Sequence, residues 1–345
     1  MQIRLTETVQ KGGCAAKLPA GQLRHFLERI RTQNPKELLV GTENLDDACL
    51  WDLGNGELLI QTLDFFTPIV DDPKDFGRIA AANAISDVFA MGGEPKTALT
   101  ILAFPSQKLD LALVEPLMAG AVEKIQEAGA CLAGGHSIDD ETLKLGFSVS
   151  GFVKKERAWK NSSAQEGDVL ILTKGLGTGT LTSALKNKKA KPEWEQAAID
   201  SMCQLNQVRP LLGDIIVHSA TDITGFGFLG HSLQMAEASR KQFRISPEKI
   251  PLLLGAEECL KEKILNRAHR TNWDYVESKV SLGEIPEWRK WLLVDPQTSG
   301  GLLLSVSKKD APEAVARLRD RFPKTAIVGE VLEEKAGQLR VSAGA

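Results

Sequence analysis

The apolar residues along the chain change their spacing several times, and each spacing predicts an element. Leu23, Phe26, Leu27 and Ile30 recur three to four residues apart, the period of one helix face, and Pro35 closes that element. The run LLIQTLDFF at 58–66 is short and apolar, which predicts a strand. An alanine-rich helix is expected over 76–91, stopped by Gly92-Gly93. Positions 97–104 read as a buried strand. Positions 111–128 read as a second helix with Leu113, Leu117, Ala121 and Ile125 on one stripe, and 145–153 as the strand that closes this half. The polar stretch 154–167 reads as a linker. Beyond it, DVLILT at 168–173 is a strand that breaks into GLGTGT and a helix. A helix through 233–238, a strand at 302–306, a helix over 312–322 and a strand at 326–331 complete the pattern. Helices and strands mixed in both halves predict an α+β protein of two domains, 21–155 and 168–345, preceded by a polar, mobile arm at 1–20.

Composition changes this picture little, and charge only narrows it. The chain has 345 residues, 43% hydrophobic and 25% charged, enough for two domains of roughly 150 residues each. A formal net charge of -3 gives no general attraction to nucleic acid or to an anionic membrane. The five cysteines (Cys14, Cys49, Cys131, Cys203 and Cys259) are scattered and never spaced C-x-x-C, which argues against a disulfide framework or a zinc site and for a reducing compartment. The N-terminal residues lack the apolar core of a signal peptide, and no run approaches the ~18 apolar residues that span a bilayer. A soluble, cytoplasmic protein is expected.

Several residues stand out as chemistry. Cys14 sits in KGGCAAKLP, a polar segment with Lys17 three residues on, where a nearby ammonium favours the nucleophilic thiolate. The bland alternative is an incidental thiol. Cys131, in GACLAGG, has the apolar surroundings of a buried structural cysteine. Asp64 interrupts an apolar strand, and Asp87 lies in an apolar helix four residues after Asn83, hence on the same face. Together with Asp46-Asp47 and Asp222 they suit Mg²⁺, a hard ion that prefers carboxylate and phosphate oxygen. Singly, each is as well explained by a cap or a hydrogen-bonded buried acid. Gly92-Gly93, Gly134-Gly135, GLGTGT and GFGFLG could each bring backbone N–H groups to phosphate, though each is more simply a turn, and none forms a P-loop. His136, after its glycine pair, reads as a hydrogen-bonding residue before it reads as a base. Trp159, Trp194, Trp273, Trp288 and Trp291 form no array suited to stacking on bases.

Longer segments make the chain recognisable. GGCAAKLP, DDACLWDLGNG, QTLDFFTPIVDDPKDFGRIAAANAISDVFAMGGEP, AGGHSID, TDITGFGFLGH and DPQTSGGLLL together resemble the selenophosphate synthetases over nearly the whole chain. The wider superfamily includes aminoimidazole ribonucleotide (AIR) synthetase, thiamine-monophosphate kinase and a hydrogenase maturation dehydratase. The last of these carries a C-terminal cysteine, whereas this sequence ends VSAGA. The resemblance implies a two-domain AIR-synthase-like fold, with the N-terminal domain forming a shared β-barrel in a homodimer and a C-terminal α/β sandwich. It implies catalytic roles for Cys14 and Lys17, with Lys17 also on the nucleotide. It places Mg²⁺ on Asp47, Asp87 and Asp222. It places ATP on Asn44, Leu45, Asp46, Asp64 and Asp87, and on Gly135, His136 and Ser137 reaching across the dimer. One departure is visible: many relatives read C-G-C-K, and Ala16 stands here in place of the second cysteine.

The implied reaction is ATP + selenide + water giving selenophosphate + AMP + orthophosphate. A monovalent cation is a further candidate cofactor and a selenium-delivery protein a further candidate partner; neither nucleic acid nor membrane is expected. Two rivals stay open: a superfamily kinase acting on another small molecule, and a nucleotide-binding paralogue without catalysis. The intact Cys14–Lys17 pair argues against both.

Overall fold

The computed structural model describes residues 4–9, 34–333 and 337–342. Cys14, Lys17 and the helix expected from Leu23 to Ile30 lie outside the described residues. Thirteen strands among the described residues form two sheets. The first contains β1 (Leu38–Val40), β2 (Cys49–Asp52), β3 (Glu57–Phe66), β4 (Glu94–Phe104), β5 (Cys131–Asp139) and β6 (Lys144–Lys154), in the order β1-β2-β3-β6-β4-β5. Only β4 and β5 run parallel. The second contains β7 (Asp168–Leu172), β8 (Val217–Asp222), β9 (Gln242–Ile245), β10 (Val280–Leu282), β11 (Leu302–Ser307), β12 (Ala326–Leu332) and β13 (Gln338–Val341), in the order β10-β13-β9-β12-β7-β11-β8. This is the mixed α+β architecture that the hydrophobic pattern predicts.

Two helices cover one face of the first sheet. Helix α1 (Pro73–Ala90) starts with Asp72 as N-cap, its carboxylate accepting from the Asp75 N–H at 2.9 Å, and with Pro73 where the missing N–H costs nothing. It ends as the glycine pair predicts, with the Gly92 and Gly93 N–H groups folded back onto the Phe89 and Val88 carbonyls. Helix α2 (Val114–Glu127) buries Leu117, Ala121 and Ile125, three of the four stripe residues read from sequence. Helices α3 (Thr178–Lys186) and α4 (Pro192–Cys203), although they belong to the second half, add Leu181, Leu185, Trp194 and Ala198 to the same core. Alanine is what lets α1 sit there: a helix covered on nearly every side has room for few large side chains.

The central strands of the second sheet, β7 and β11, are buried on both faces. Leu170, Leu172, Leu303 and Phe243 pack to one side beneath helix α5 (Gly227–Ser239), while Val169, Ile171, Leu302, Leu304 and Val306 pack to the other. Alternate side chains of one strand therefore enter opposite cores, which is why DVLILT reads as continuously apolar. No helix among the described residues is long and apolar enough to cross a membrane.

Two expectations are corrected here. Gly134-Gly135 is not a turn but the middle of β5. At φ +150° Gly135 lies against the Thr100 backbone so closely that any side chain would collide with it, and the β4–β5 register shifts between Ala98 and Leu99. Cys131, expected inside, is exposed, as is every residue of β5, the edge strand of its sheet.

Candidate active site

The row of β3 side chains that faces the helices begins apolar, with Leu58 and Ile60 buried, and then turns polar at Thr62 and Asp64 before Phe66. Opposite that break, α1 presents Asn83, Ser86 and Asp87, three and four residues apart and so on one face. Asn83 Nδ2 donates to Asp64 Oδ2 at 2.5 Å, and Thr62 Oγ1 donates to Asp87 Oδ2. The aspartate in an apolar strand is thus paired, as its burial demands. The α1 face also reaches the second sheet. Ser86 Oγ donates to Asp222 Oδ2, at the end of β8, at 2.7 Å, and Asn206 Nδ2 donates to Ser86 Oγ at 2.9 Å.

Asp46 and Asp47 arrive from the loop before β2. Leu45 adopts φ +53°, a left-handed conformation costing about 1–3 kcal/mol in a residue of this kind. Asn161 holds it, donating from Nδ2 to the Leu45 carbonyl at 2.9 Å and from its backbone N–H to Asp46 Oδ1 at 2.7 Å. Asp47 Oδ1 accepts from Thr221 Oγ1 at 3.0 Å, which places Asp47 beside the last residues of β8. Its Oδ2 is buried without a donor, as is Asp46 Oδ2. Burial, then the charges of Asp222 and Asp87, push the Asp47 carboxyl well above the ordinary range. Burial raises Asp46 as well, against the pull of the Asn161 N–H.

The structure thus brings together Asp46, Asp47, Asp64, Asp87 and Asp222. Among the described residues no three His, Cys, Asp or Glu side chains already stand as a complete metal-ligand set. The residues nonetheless fit a divalent cation. Two carboxylates close enough to raise the proton affinity of Asp47, whose buried Oδ2 no hydrogen bond satisfies, make a charge cluster that such an ion would relieve. Asn44 is exposed on the same loop. Gly135, His136 and Ser137 stand apart within the chain. Asp64, Phe147, Thr100 and Gly135 form one row across β3, β6, β4 and β5, three strand spacings or roughly 14 Å.

Two features escaped the sequence reading. Lys174, two residues after β7, is 2% exposed and donates from Nζ to the carbonyls of Gln204 at 2.6 Å and Ser299 at 2.9 Å. Burial lowers it to about 7, with Asp222 pulling the other way. Ser299 is left-handed at φ +47°, and its N–H donates to Asn83 Oδ1 at 2.8 Å. The lysine therefore anchors the turn that carries Ser299 and Gly300 against α1. A lysine ending a continuous apolar run was the available signal. The glycines of GLGTGT serve no ligand here: the N–H groups of Gly177 and Thr178 go to Gln297 Oε1, and that of Gly179 to Asp295.

Comparisons with known proteins bear on this arrangement. Residues 45–153 match the N-terminal domain of the AIR synthase related proteins, and residues 165–342 match their C-terminal domain. A selenide, water dikinase of Bdellovibrio bacteriovorus is 49% identical over 336 residues, 96% of each chain. One of Nitrosomonas eutropha is 48% identical over 344 residues, 98% of this chain and 99% of that one. Among solved structures, the thiamine-monophosphate kinase of Stenotrophomonas maltophilia covers 96% of this chain and 98% of its own, with a TM-score of 0.66 at 19% identity. The hydrogenase maturation protein HypE of E. coli covers 94% and 93%, with a TM-score of 0.64 at 18% identity. These distant structures speak for the fold alone. The chain belongs to the AIR synthase related proteins and, among them, to the selenide, water dikinase family.

Proposed function

We propose that the chain uses ATP to phosphorylate reduced selenium, consuming ATP, selenide and water and releasing selenophosphate, AMP and orthophosphate. Two relatives near half identity over almost the full length carry the reaction class. The observation that carries the site is the meeting of Asp47, Asp87 and Asp222 around a buried oxygen with no donor.

Asp47, Asp87 and Asp222 would hold Mg²⁺. Magnesium would supply charge neutralisation for the polyphosphate, whose transferring group needs positioning and electrostatic stabilisation more than covalent help. Asp47 and the Asn44–Asp46 loop come from one half and Asp222 from the other, so nucleotide would lie across the junction. Asn161 and Asn83 keep that junction in register, each holding a left-handed residue beside the carboxylates. Lys174 lies buried near Asp222, held by the carbonyls of Gln204 and Ser299. In this reading Cys14 receives or orients selenium and Lys17 offsets phosphate charge.

The partner reading is a second copy of this chain. The face of the first sheet away from α1 and α2 exposes Leu63 (54%), Phe65, Leu99, Ile138 (51%) and Phe152. Pairing that face in a closed barrel would cover it and would carry β5, with Gly135, His136 and Ser137, towards the partner's nucleotide. Phosphorus NMR of the full chain with Mg-ATP and selenide under anaerobic conditions tests the reaction. A selenium-coupled phosphorus signal growing with AMP and orthophosphate is expected. ADP with no selenium-bound phosphorus would replace this reading with a kinase acting on another acceptor.

A further inference from the structure

Beyond the last turn of α1 lies a cleft of about 440 Å³ between the two halves, lined by Gly93, Lys96, Gly129, Arg157, Gln207 and Arg209 among others. Its chemistry differs from that of the aspartate seam. Arg209 lies flat on Trp159, its guanidinium carbon 4.3 Å from the ring centre, and donates once, through Nη2, to the Arg157 carbonyl. Its Nε is buried and has no acceptor. Neither Arg209 nor Arg157 forms an ion pair with a carboxylate among the described residues, and the one acid in the lining, Glu94, is bound to Lys96 at 2.9 Å. Gly92 makes the arrangement possible, since at φ +72° any side chain there would strike the Arg209 guanidinium and the Trp159 ring. Burial, and then the neighbouring Arg157, push Arg209 down to about 10.

Arg157 and Arg209 both line the cleft, the Arg209 Nε has no acceptor in the protein, and an anion bound there would offset the repulsion between the two charges. Guanidinium forks match tetrahedral phosphate oxygens in pairs, and the stacking of Arg209 on Trp159 fixes the plane of its fork. We propose that this cleft binds the phosphate group of a small ligand, held between Arg157 and Arg209 with Lys96 at the mouth. Free orthophosphate and a phosphomonoester share that chemistry.

The test is thermal unfolding of the full chain in EDTA, with potassium phosphate or potassium β-glycerophosphate titrated against potassium chloride at constant ionic strength. EDTA leaves the aspartate seam anionic and repulsive to phosphate. The expected result is a saturable rise in Tm with phosphate that chloride does not give, and a midpoint at least tenfold weaker in Arg157→Gln and Arg209→Gln. Arg157 is exposed, so its variant decides the matter even where Arg209→Gln fails to fold. A tighter midpoint for β-glycerophosphate identifies an ester as the ligand; a tighter one for orthophosphate identifies the free ion. The same rise in chloride, or a midpoint unchanged in Arg157→Gln, overturns the proposal.

Discussion

The two sheets solve the problem of burial differently. The seven-stranded sheet sends alternate residues of β7 and β11 into two separate cores, and none of Leu170, Ile171, Leu303 and Leu304 reaches solvent. The six-stranded sheet is covered on one face only and presents a row of large apolar side chains on the other. The seam of carboxylates lies where the clothed face of the first sheet meets the edge of the second. One sheet is complete within a single chain. The other reads as half of an assembly.

The largest expected effect is on the complete sheet. Leu304→Asp places an unpaired charge where both sides are protein, which should cost more than about 4 kcal/mol and abolish cooperative unfolding in calorimetry. A folded variant with a Tm near that of the parent would show that the second core is looser than described. Next is the seam. Asp47→Asn should weaken Mg-ATP binding roughly tenfold to a hundredfold by calorimetric titration, while raising the stability of the metal-free chain. The sign follows from the raised carboxyl: the folded state holds that proton more tightly than the unfolded one, so the metal-free parent gains stability as pH falls through the raised value towards about 4. Asp47→Asn should lose that gain, and an unchanged slope would remove Asp47 as its source.

Lys174 should do the opposite. Its lowered value means that the folded chain has released a proton which the unfolded chain still binds between about pH 7 and 10.5, so stability rises with pH across that window. Lys174→Met should flatten the rise and slow turnover through the displaced Ser299 turn, and Lys174→Arg should not restore turnover, because a larger head cannot use the same two carbonyls. Parent-like turnover in Lys174→Met would reduce it to a packing residue. The smallest stability change belongs to the half-clothed sheet. Leu63→Asp should shift the unfolding free energy by only about 0.5 kcal/mol yet halve the mass seen by light scattering. A monomeric parent would end the reading of that face as an interface between copies.

Most central strands and the site acids were legible because burial and function leave opposite marks. LLIQTLDFF, DVLILT and LLLSV are apolar whichever face they show, and Asp64 and Asp87 are conspicuous inside apolar segments. The short strands β1, β2, β9, β10 and β13 carry too few residues to establish a period, so they were not read. Helix α4, with Trp194, Ala198 and Ile199 buried, went unread because the charged residues among them blur its apolar period. Helix α5 begins at Gly227, six residues before the expected start, since glycines at its first turn read as loop. β5 failed for a subtler reason: nothing local distinguishes Gly-Gly in a turn from Gly-Gly pressed against Thr100, a residue of another strand. Lys174 was passed over because a lysine next to glycine usually means surface. Only the third dimension shows two carbonyls waiting for it.

That burial has a consequence for the conditions in which the protein can work. Mobile ions screen exposed charges over about 8 Å at physiological salt, but they do not enter a site sealed by protein. The interaction between Lys174 and Asp222, 2% and 1% exposed, should therefore persist almost unchanged from dilute buffer to brine. A cell whose internal salt rises and falls would find this pair indifferent to the change, while Arg157, open to solvent, would feel every step of it.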